Sequence, residues 1–412
     1  MPEQWLDGVT SDPATMGWMQ GLPPPADKRI DARVGNQMRF PYTRWSFSHM
    51  REFVPTARVS RGSAPVTALP EALRDDVDAL RFVADGQQTT WADSLTANFT
   101  DAVCVLHRGA VVYERYFGVT RPDTRHIAFS VTKSFFGTIA EMLIAEGRLD
   151  PAAPVVELIP ELAGSGYERA TLRHVLDMTT ALDFSEDYTD PGSGIGAFSL
   201  ALGLTPRPAD YAGPDDMYSY LPSVGPAGAH GAGFTYRTVN TEVLGWIVAR
   251  TLGMRGHEVL SDRIWQPLGM EADADILIDR AAMAFTGGGL NPTLRDMARF
   301  GEAIRNDGRI GEEQLLPAAP IRALKAGATA PDCTRSPHAT IPGLVYRSQW
   351  WFFDHGEGPF SARGIHGQAI YIDPAAELVI ARFASHPLAG NSFNDPVSLP
   401  AYRAIAAYLS SG

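Results

Sequence analysis

The stretch HIAFSVTKSFFGTIAEMLIAEG, residues 126–147, decides how the rest of the chain is read. Phe135, Phe136, Ile139, Leu143 and Ile144 recur at helical spacing and mark a face meant for burial. Gly147 closes that helix, with Arg148 just past it. Ser130 and Lys133 then fall in the first turn, three residues apart and on one face. First-turn N–H groups have no partner inside the helix, and the positive helix end favours developing negative charge. The chain holds three lysines, Lys28, Lys133 and Lys325, against thirty-two arginines. A guanidinium stays protonated at any working pH, whereas a buried ammonium can lose its proton. A lysine kept here beside a hydroxyl reads as the activator of a serine nucleophile. The plain alternative for Ser-x-x-Lys alone is an exposed helical lysine.

Outward from this helix, AVCVLH (102–107) and AVVYERYF (110–117) flank Arg108-Gly109 and predict a hairpin. Strand-like runs return at 346–353, 368–373 and 377–384, and a last helix places Tyr402, Ile405 and Leu409 on one face. A helix over 293–306 follows Gly287-Gly288-Gly289. Between the two strand-bearing ends, Leu172, Val175 and Leu176 mark one helix, and Val243, Leu244, Ile247 and Val248 another. Residues 187–233 are dense in Gly, Pro, Ala, Asp and Tyr with little periodicity, and so long a loop reads as the cover of a site. The expected class is α+β: an antiparallel sheet flanked by helices, plus a mostly helical insert. Its expected parts are an irregular arm over 1–43, a sheet domain from 44–150 and 285–412, and a substrate-covering helical domain over 151–284.

Composition narrows the function. The 412 residues are 45% hydrophobic and 20% charged, as in a globular protein, and the formal charge of −12 argues against nucleic acid or an anionic membrane as partner. No apolar run approaches the length of a membrane span, and the first residues lack the basic and apolar regions of a signal peptide. Cys104 and Cys333 are distant and without metal spacing, which predicts reduced thiols and a cytoplasmic location. Gly-x-Ser-x-Gly is absent, and His257-Glu258 lacks the second histidine of a zinc-protease helix. The expectation is no metal, no cofactor and a small-molecule substrate as partner, with a homodimer left open.

A Ser/Lys centre needs a further proton carrier and an oxyanion hole. Tyr236, in GFTYRTVNTEVLGW just before a helix, is a candidate for the first, its alternative being a packed ring. Gly364-Ile365-His366-Gly367-Gln368, at the start of a strand, is a candidate for the second, because small residues let a backbone N–H reach a reacting carbonyl.

The order Ser130-Val131-Thr132-Lys133, Tyr236, Gly364-Ile365-His366-Gly367 resembles the serine β-lactamase and penicillin-binding-protein superfamily, of the class C and family VIII esterase type. More closely, the chain is similar to the 6-aminohexanoate-dimer hydrolases that cleave nylon oligomers. The stretches that carry this are RWSFSHMREFVP (44–55), VLHRGAVVYERYF (105–117), SVTKSFFGT (130–138), EDYTDP (186–191), NTEVLGWIV (240–248), QWW (349–351) and GIHGQ (364–368). The resemblance implies that Ser130 attacks the carbonyl carbon, Lys133 takes or relays its proton, and Tyr236 serves as acid and base toward the leaving group. It implies an oxyanion hole from the backbone N–H groups of Ser130 and Ile365, a closing role for Tyr188, and an acyl pocket lined by Trp351. Whether lysine or tyrosine is the acylation base stays open at this level.

Departures from the pattern also inform. Lactam-binding relatives carry Lys-Thr-Gly on a terminal strand, where His366-Gly367-Gln368 is read here, and Tyr236 and Asn240 make Tyr-x-x-x-Asn in place of Tyr-x-Asn. Efficient nylon-oligomer hydrolases carry an acidic residue nine positions after the Asp that precedes Pro, to hold the substrate's amine; counting from Asp190 gives Ser199. The expected function is hydrolysis of small carboxylic esters and linear amides through an acyl-enzyme. The alternatives are a β-lactamase or D,D-peptidase, disfavoured without Lys-Thr-Gly, and a non-catalytic binding protein on the same fold.

Overall fold

The computed structural model describes residues 5–326, 333 and 341–411; the first four residues of the arm and parts of the 285–412 stretch lie outside them. Seven antiparallel strands form the central sheet: β1 (Thr100–His107), β2 (Ala110–Tyr116), β3 (Val345–Arg347), β4 (Trp350–Phe352), β5 (Phe360–Gly364), β6 (Gln368–Asp373) and β7 (Leu378–Ala384). Their order is β3-β4-β5-β6-β7-β1-β2, and the register Ile380↔Val105 joins the two ends of the chain. The β1–β2 hairpin turns on Arg108 (φ 51°) and Gly109 (φ 79°), the left-handed pair that a two-residue hairpin requires.

Five helices bear on the site: α1 (Val131–Ala145), α2 (Gly194–Leu202), α3 (Thr238–Leu252), α4 (Leu294–Arg305) and α5 (Asp395–Ser410). Alternation along the strands sorts them. Ile370, Ile372, Val379 and Ala381 face one way into a core shared with Phe135 and Phe300, so α1 and α4 cover that side. Tyr371 and Ile380 face the other way against Tyr402, Ile405 and Leu409 of α5. Residues Val131 to Leu143 of α1 are all buried, which makes it a helix enclosed on every side. Phe135 stacks on Phe300 at 3.7 Å between ring centroids. Gly137 admits the backbone of Ser348, whose carbonyl oxygen would lie 2.2 Å from any Cβ at that position.

Three expectations change. The run 346–353 is not one strand: Ser348 (φ 47°) and Gln349 (φ 68°) turn it into the β3–β4 hairpin. The segment 187–233 contains α2, capped by Ser193 at its start and Gly203 at its end. Strand Ala274–Leu277, inside the expected insert, pairs with Thr56–Val59 and through Ile276 with Leu290, both from the flanking stretches.

Candidate active site

Ser130 caps the N-terminus of α1, and the residue before it, Phe129, is held at φ 44°. A bulky residue in that left-handed region stores strain, as residues at working sites often do. The entry into α1 is stitched to its surroundings: the Ala128 N–H donates to the Leu290 carbonyl, and the Thr132 hydroxyl accepts from the Leu290 N–H. Lys133, one turn on, is 1% exposed. Its Nζ donates to Ser130 Oγ at 3.2 Å, to Thr238 Oγ1 at 3.3 Å and to the Gly287 carbonyl at 2.5 Å. Burial lowers its pKa to about 8, against the opposing pull of the carboxylates of Glu186 and Glu242.

Tyr236 leads into α3 and comes to the same point. Its ring lies 5.3 Å from Lys133 Nζ, stacks on Trp351 at 5.5 Å, and its hydroxyl is hydrogen-bonded with the Ser130 side chain. Burial, and then the Glu186 carboxylate, push the phenol well above its ordinary pKa. Ser130, Lys133 and Tyr236, 106 residues apart in sequence at the extremes, are thus brought together. Asn240 is not among them: it pairs with the Thr180 hydroxyl, and Thr238, two residues after Tyr236, meets Lys133 instead.

The backbone N–H groups of Ser130 and Ile365 donate to no turn or loop carbonyl among the described residues. They are placed by β5, whose last residue, Gly364, lies so close that a Cβ there would be 2.6 Å from the Ala128 carbonyl oxygen. His366 lies in the turn between β5 and β6, at φ 61°, and not on a strand. Its Nδ1–H donates to the His386 carbonyl at 2.7 Å, and burial lowers its pKa to about 4, so the ring is neutral and Nε2 is an acceptor.

Ser130, Tyr188 and Ile365 line two cavities that meet at Ser130. The larger, about 370 Å³, is walled by Met38, Ile195, Phe198, Leu204, Phe285 and Leu388, with Ser199 and His366 as polar points. Among the described residues no carboxylate lines it. The smaller, about 70 Å³, is lined by Tyr236, Trp351, Arg363 and the turn Gly390–Ser392. Trp351, expected in an acyl pocket, therefore sits on the Tyr236 side, away from Ser199. Tyr188 is 40% exposed to the cleft while its hydroxyl is sunk against Glu186 Oε2 at 2.9 Å.

Sequence reasoning missed four contributors. Glu186 is 5% exposed, takes the Tyr188 hydroxyl on one oxygen and the Thr238 N–H on the other, and so ties the cleft's edge to the start of α3. Glu242 is fully buried and accepts from the Gly287 and Thr286 N–H groups; burial raises its pKa and nearby Lys133 opposes the rise. Gly287 must lack a side chain, since a Cβ would lie 2.5 Å from Glu242 Oε1 and 3.2 Å from Lys133 Nζ. Arg363 enters the smaller cavity from β5. The one available signal was Glu186's place in EDYTDP; a buried charge otherwise looks like a surface one.

A serine at a helix N-terminus, a buried lysine within hydrogen-bond reach of it, and a central antiparallel sheet between helices are the features of a serine hydrolase of β-lactamase fold. The chain belongs to the Beta-lactamase family, whose model matches residues 92–395. It is 37% identical to a 6-aminohexanoate-dimer hydrolase of Paenarthrobacter ureafaciens over 349 residues, 84% of this chain and 86% of that one. A solved structure from Bacillus anthracis, assigned as a 6-aminohexanoate-dimer hydrolase, superposes with a TM-score of 0.83 at 32% identity, covering 95% of this chain and 99% of that one. Esterase EstB of Burkholderia gladioli is 29% identical over 182 residues, 41% of this chain and 45% of its own length. Among the described residues no helix is long and apolar enough to cross a membrane.

Proposed function

We propose that the chain hydrolyses small carboxylic esters, and linear amides more slowly, through an acyl-enzyme on Ser130. The observation that carries this is Lys133: buried, with its pKa lowered to about 8 and its Nζ 3.2 Å from Ser130 Oγ. Neutral Lys133 takes the hydroxyl proton as Oγ attacks the carbonyl carbon. The oxygen that becomes anionic is held by the N–H groups of Ser130 and Ile365, whose fixed dipoles need no rearrangement as charge develops. Tyr236, kept protonated by burial, gives its proton to the leaving oxygen or nitrogen and is reprotonated from the Lys133 ammonium beside it. Water then attacks the acyl carbon, its proton passing to Lys133, and Ser130 recovers its own as the acid departs.

The leaving group takes its proton on the Tyr236 side, so it starts in the smaller cavity and the acyl chain occupies the larger. The larger cavity suits an uncharged aliphatic acyl chain, because an ammonium there would meet Ser199 and a neutral imidazole but no carboxylate. The relatives named for the aminohexanoate dimer support the amide part of the reading, and the esterase relative the ester part.

The test is covalent labelling followed by turnover. A fluorophosphonate is expected to add one adduct, mapped to Ser130, and Ser130→Ala to lose both the adduct and at least three decades of p-nitrophenyl ester hydrolysis. Nitrocefin and an aminohexanoate dimer are run beside it, and nitrocefin turnover exceeding that of the esters would favour a lactamase. A variant keeping more than about a tenth of the ester activity would place the nucleophile elsewhere.

A further inference from the structure

The two cavities differ in charge, and that difference carries a substrate class. Arg363 is on β5, two residues before Ile365, and its side chain is 8% exposed. Its Nη2 donates to Asp395 Oδ1 at the start of α5. Nε and the second amino nitrogen take no partner among the described residues, yet neither is sealed from the cavity. A guanidinium presents five donors in one plane, and a single contact to Asp395 leaves most of that fork unused. Ser392, exposed, and Asn391 belong to the same cavity wall, and each has a side chain able to donate a hydrogen bond. The larger cavity has no charged side chain in its lining.

We propose that the smaller cavity is an anion subsite, in which Arg363 with Ser392 and Asn391 recognises a carboxylate carried on the leaving side of the substrate. The proposal rests on the acyl-enzyme reading above for which side is which. Size limits the ligand further. At about 70 Å³ the cavity is small, and a carboxylate within a few bonds of the leaving atom reaches its wall. The substrate class is therefore an aliphatic acyl group on a hydroxy or amino acid whose carboxylate lies close to the leaving atom. A cation here also serves the chemistry, since Arg363 opposes the burial that keeps the Tyr236 phenol protonated.

The competing account is that the Arg363–Asp395 pair only pins β5 to α5. Two esters separate the accounts: carboxymethyl hexanoate, whose leaving group is glycolate, and carbamoylmethyl hexanoate, the same shape without charge. Hexanoate release gives kcat/KM for each. The ratio of charged to neutral ester is expected to fall at least tenfold in Arg363→Gln, to be partly kept in Arg363→Lys, and to rise in Asp395→Asn, which frees the guanidinium. Thermal melts establish that the variants are folded. A ratio unmoved by Arg363→Gln and Asp395→Asn, even with equal losses on both esters, overturns the subsite and leaves the pinning role. Glycolate binding to Ser130→Ala by calorimetry tests the subsite without turnover. Saturable binding that Arg363→Gln removes supports it, and no binding at tens of millimolar counts against it. If neither ester is turned over and Ser130 takes no fluorophosphonate, it is the hydrolase reading that fails, and calorimetry alone then decides the subsite.

Discussion

Lys133 spends its three N–H bonds on Ser130, Thr238 and Gly287, so a longer or flatter cation has nowhere to go. Lys133→Arg keeps the charge but cannot accept a proton at working pH, and kcat/KM on a p-nitrophenyl ester should fall nearly as far as in Lys133→Ala. Near-native turnover in the arginine variant would make lysine a fixed charge and Tyr236 the base. The pH profile reads the same residue. With the pKa lowered to about 8, the neutral base is scarce at pH 6 and prevalent at pH 9, so kcat/KM should climb through pH 8. Glu186 pulls that pKa upward, so Glu186→Gln should move the rising limb to lower pH; a limb that stays put or moves up would disconnect Glu186 from Lys133. Ser199, in the wall of the larger cavity, now spends its hydroxyl on the Ile195 carbonyl. Ser199→Asp should offer an ammonium a charge-assisted bond of about 1.5–3 kcal/mol, or roughly 10- to 150-fold in kcat/KM on an aminohexanoate dimer. Esters without the amine should not gain, and equal changes on both would mean that residue 199 does not face it. That Ser130, Lys133 and Tyr236 come together could be read from the chain, because a rare lysine and a family pattern singled them out. Glu242 and Arg363 could not, and Glu186 only through its place in EDYTDP, since their burial is made by segments far away in sequence.

The β3–β4 hairpin shows what local sequence conceals at the scale of an element. Ser348-Gln349 carries no glycine, asparagine or proline, and both residues adopt left-handed conformations that such turns normally assign to Gly or Asn. Tertiary contacts make up for the strain. Gln349 donates to the Val175 and Leu176 carbonyls, accepts from Thr241, and its own carbonyl takes the Ser134 hydroxyl. The turn is thus wedged among α1, α3 and the short helix Leu172–Leu176, and it fixes Trp351 beneath Tyr236. The hairpin β1–β2, strands β6 and β7, and helices α1, α4 and α5 were legible because period and turn residues agree there. The loop bearing Gly287 belongs with the illegible parts: the three glycines marked only the approach to a helix, while the first is a backbone strut between Lys133 and Glu242. Gly287→Ala forces a methyl into side chains that are themselves hydrogen-bonded. The expected cost is about 1–3 kcal/mol in urea unfolding, together with a loss of ester kcat/KM larger than that of an alanine placed at the solvent-facing Gly253. Unchanged stability and turnover would show that the site gives way without consequence.

Across the whole molecule, the stretch read as an irregular arm forms part of the wall of the larger cavity. Met38 lines it, Gln37 donates to the Leu204 carbonyl, and Gly35 abuts Pro206. The arm is held by a buried charge cluster just past its end. Arg44 donates to Asp101 at 2.7 Å, to the Phe99 carbonyl and to Ser385, and Asp101 also takes the Ser385 hydroxyl and faces His126 Nε2 at 3.2 Å. This joins the arm to β1 and to the residue after β7, the seam where the two ends of the chain meet. Removing one partner leaves a buried, unmatched charge, so Asp101→Asn should cost about 3–5 kcal/mol at pH 7. The pH dependence identifies the cause. Burial alone would raise the Asp101 carboxyl, but Arg44, His126 and Ser385 together outweigh it and hold the pKa below its ordinary value. A carboxyl depressed by folding stabilises fully above its unfolded value, near 3.9, and that contribution fades as pH falls through the folded one. The gap in unfolding free energy between parent and Asp101→Asn should therefore be constant from pH 7 to 5 and shrink below pH 4. Urea unfolding at pH 7, 5, 4 and 3 measures it, with p-nitrophenyl hexanoate and acetate assayed at pH 7. If the cluster holds the arm, KM rises more for hexanoate, whose chain reaches the Met38 wall, than for acetate, which stops short of it. A gap that persists undiminished at pH 3, or KM values that move together, would separate the arm from this charge cluster.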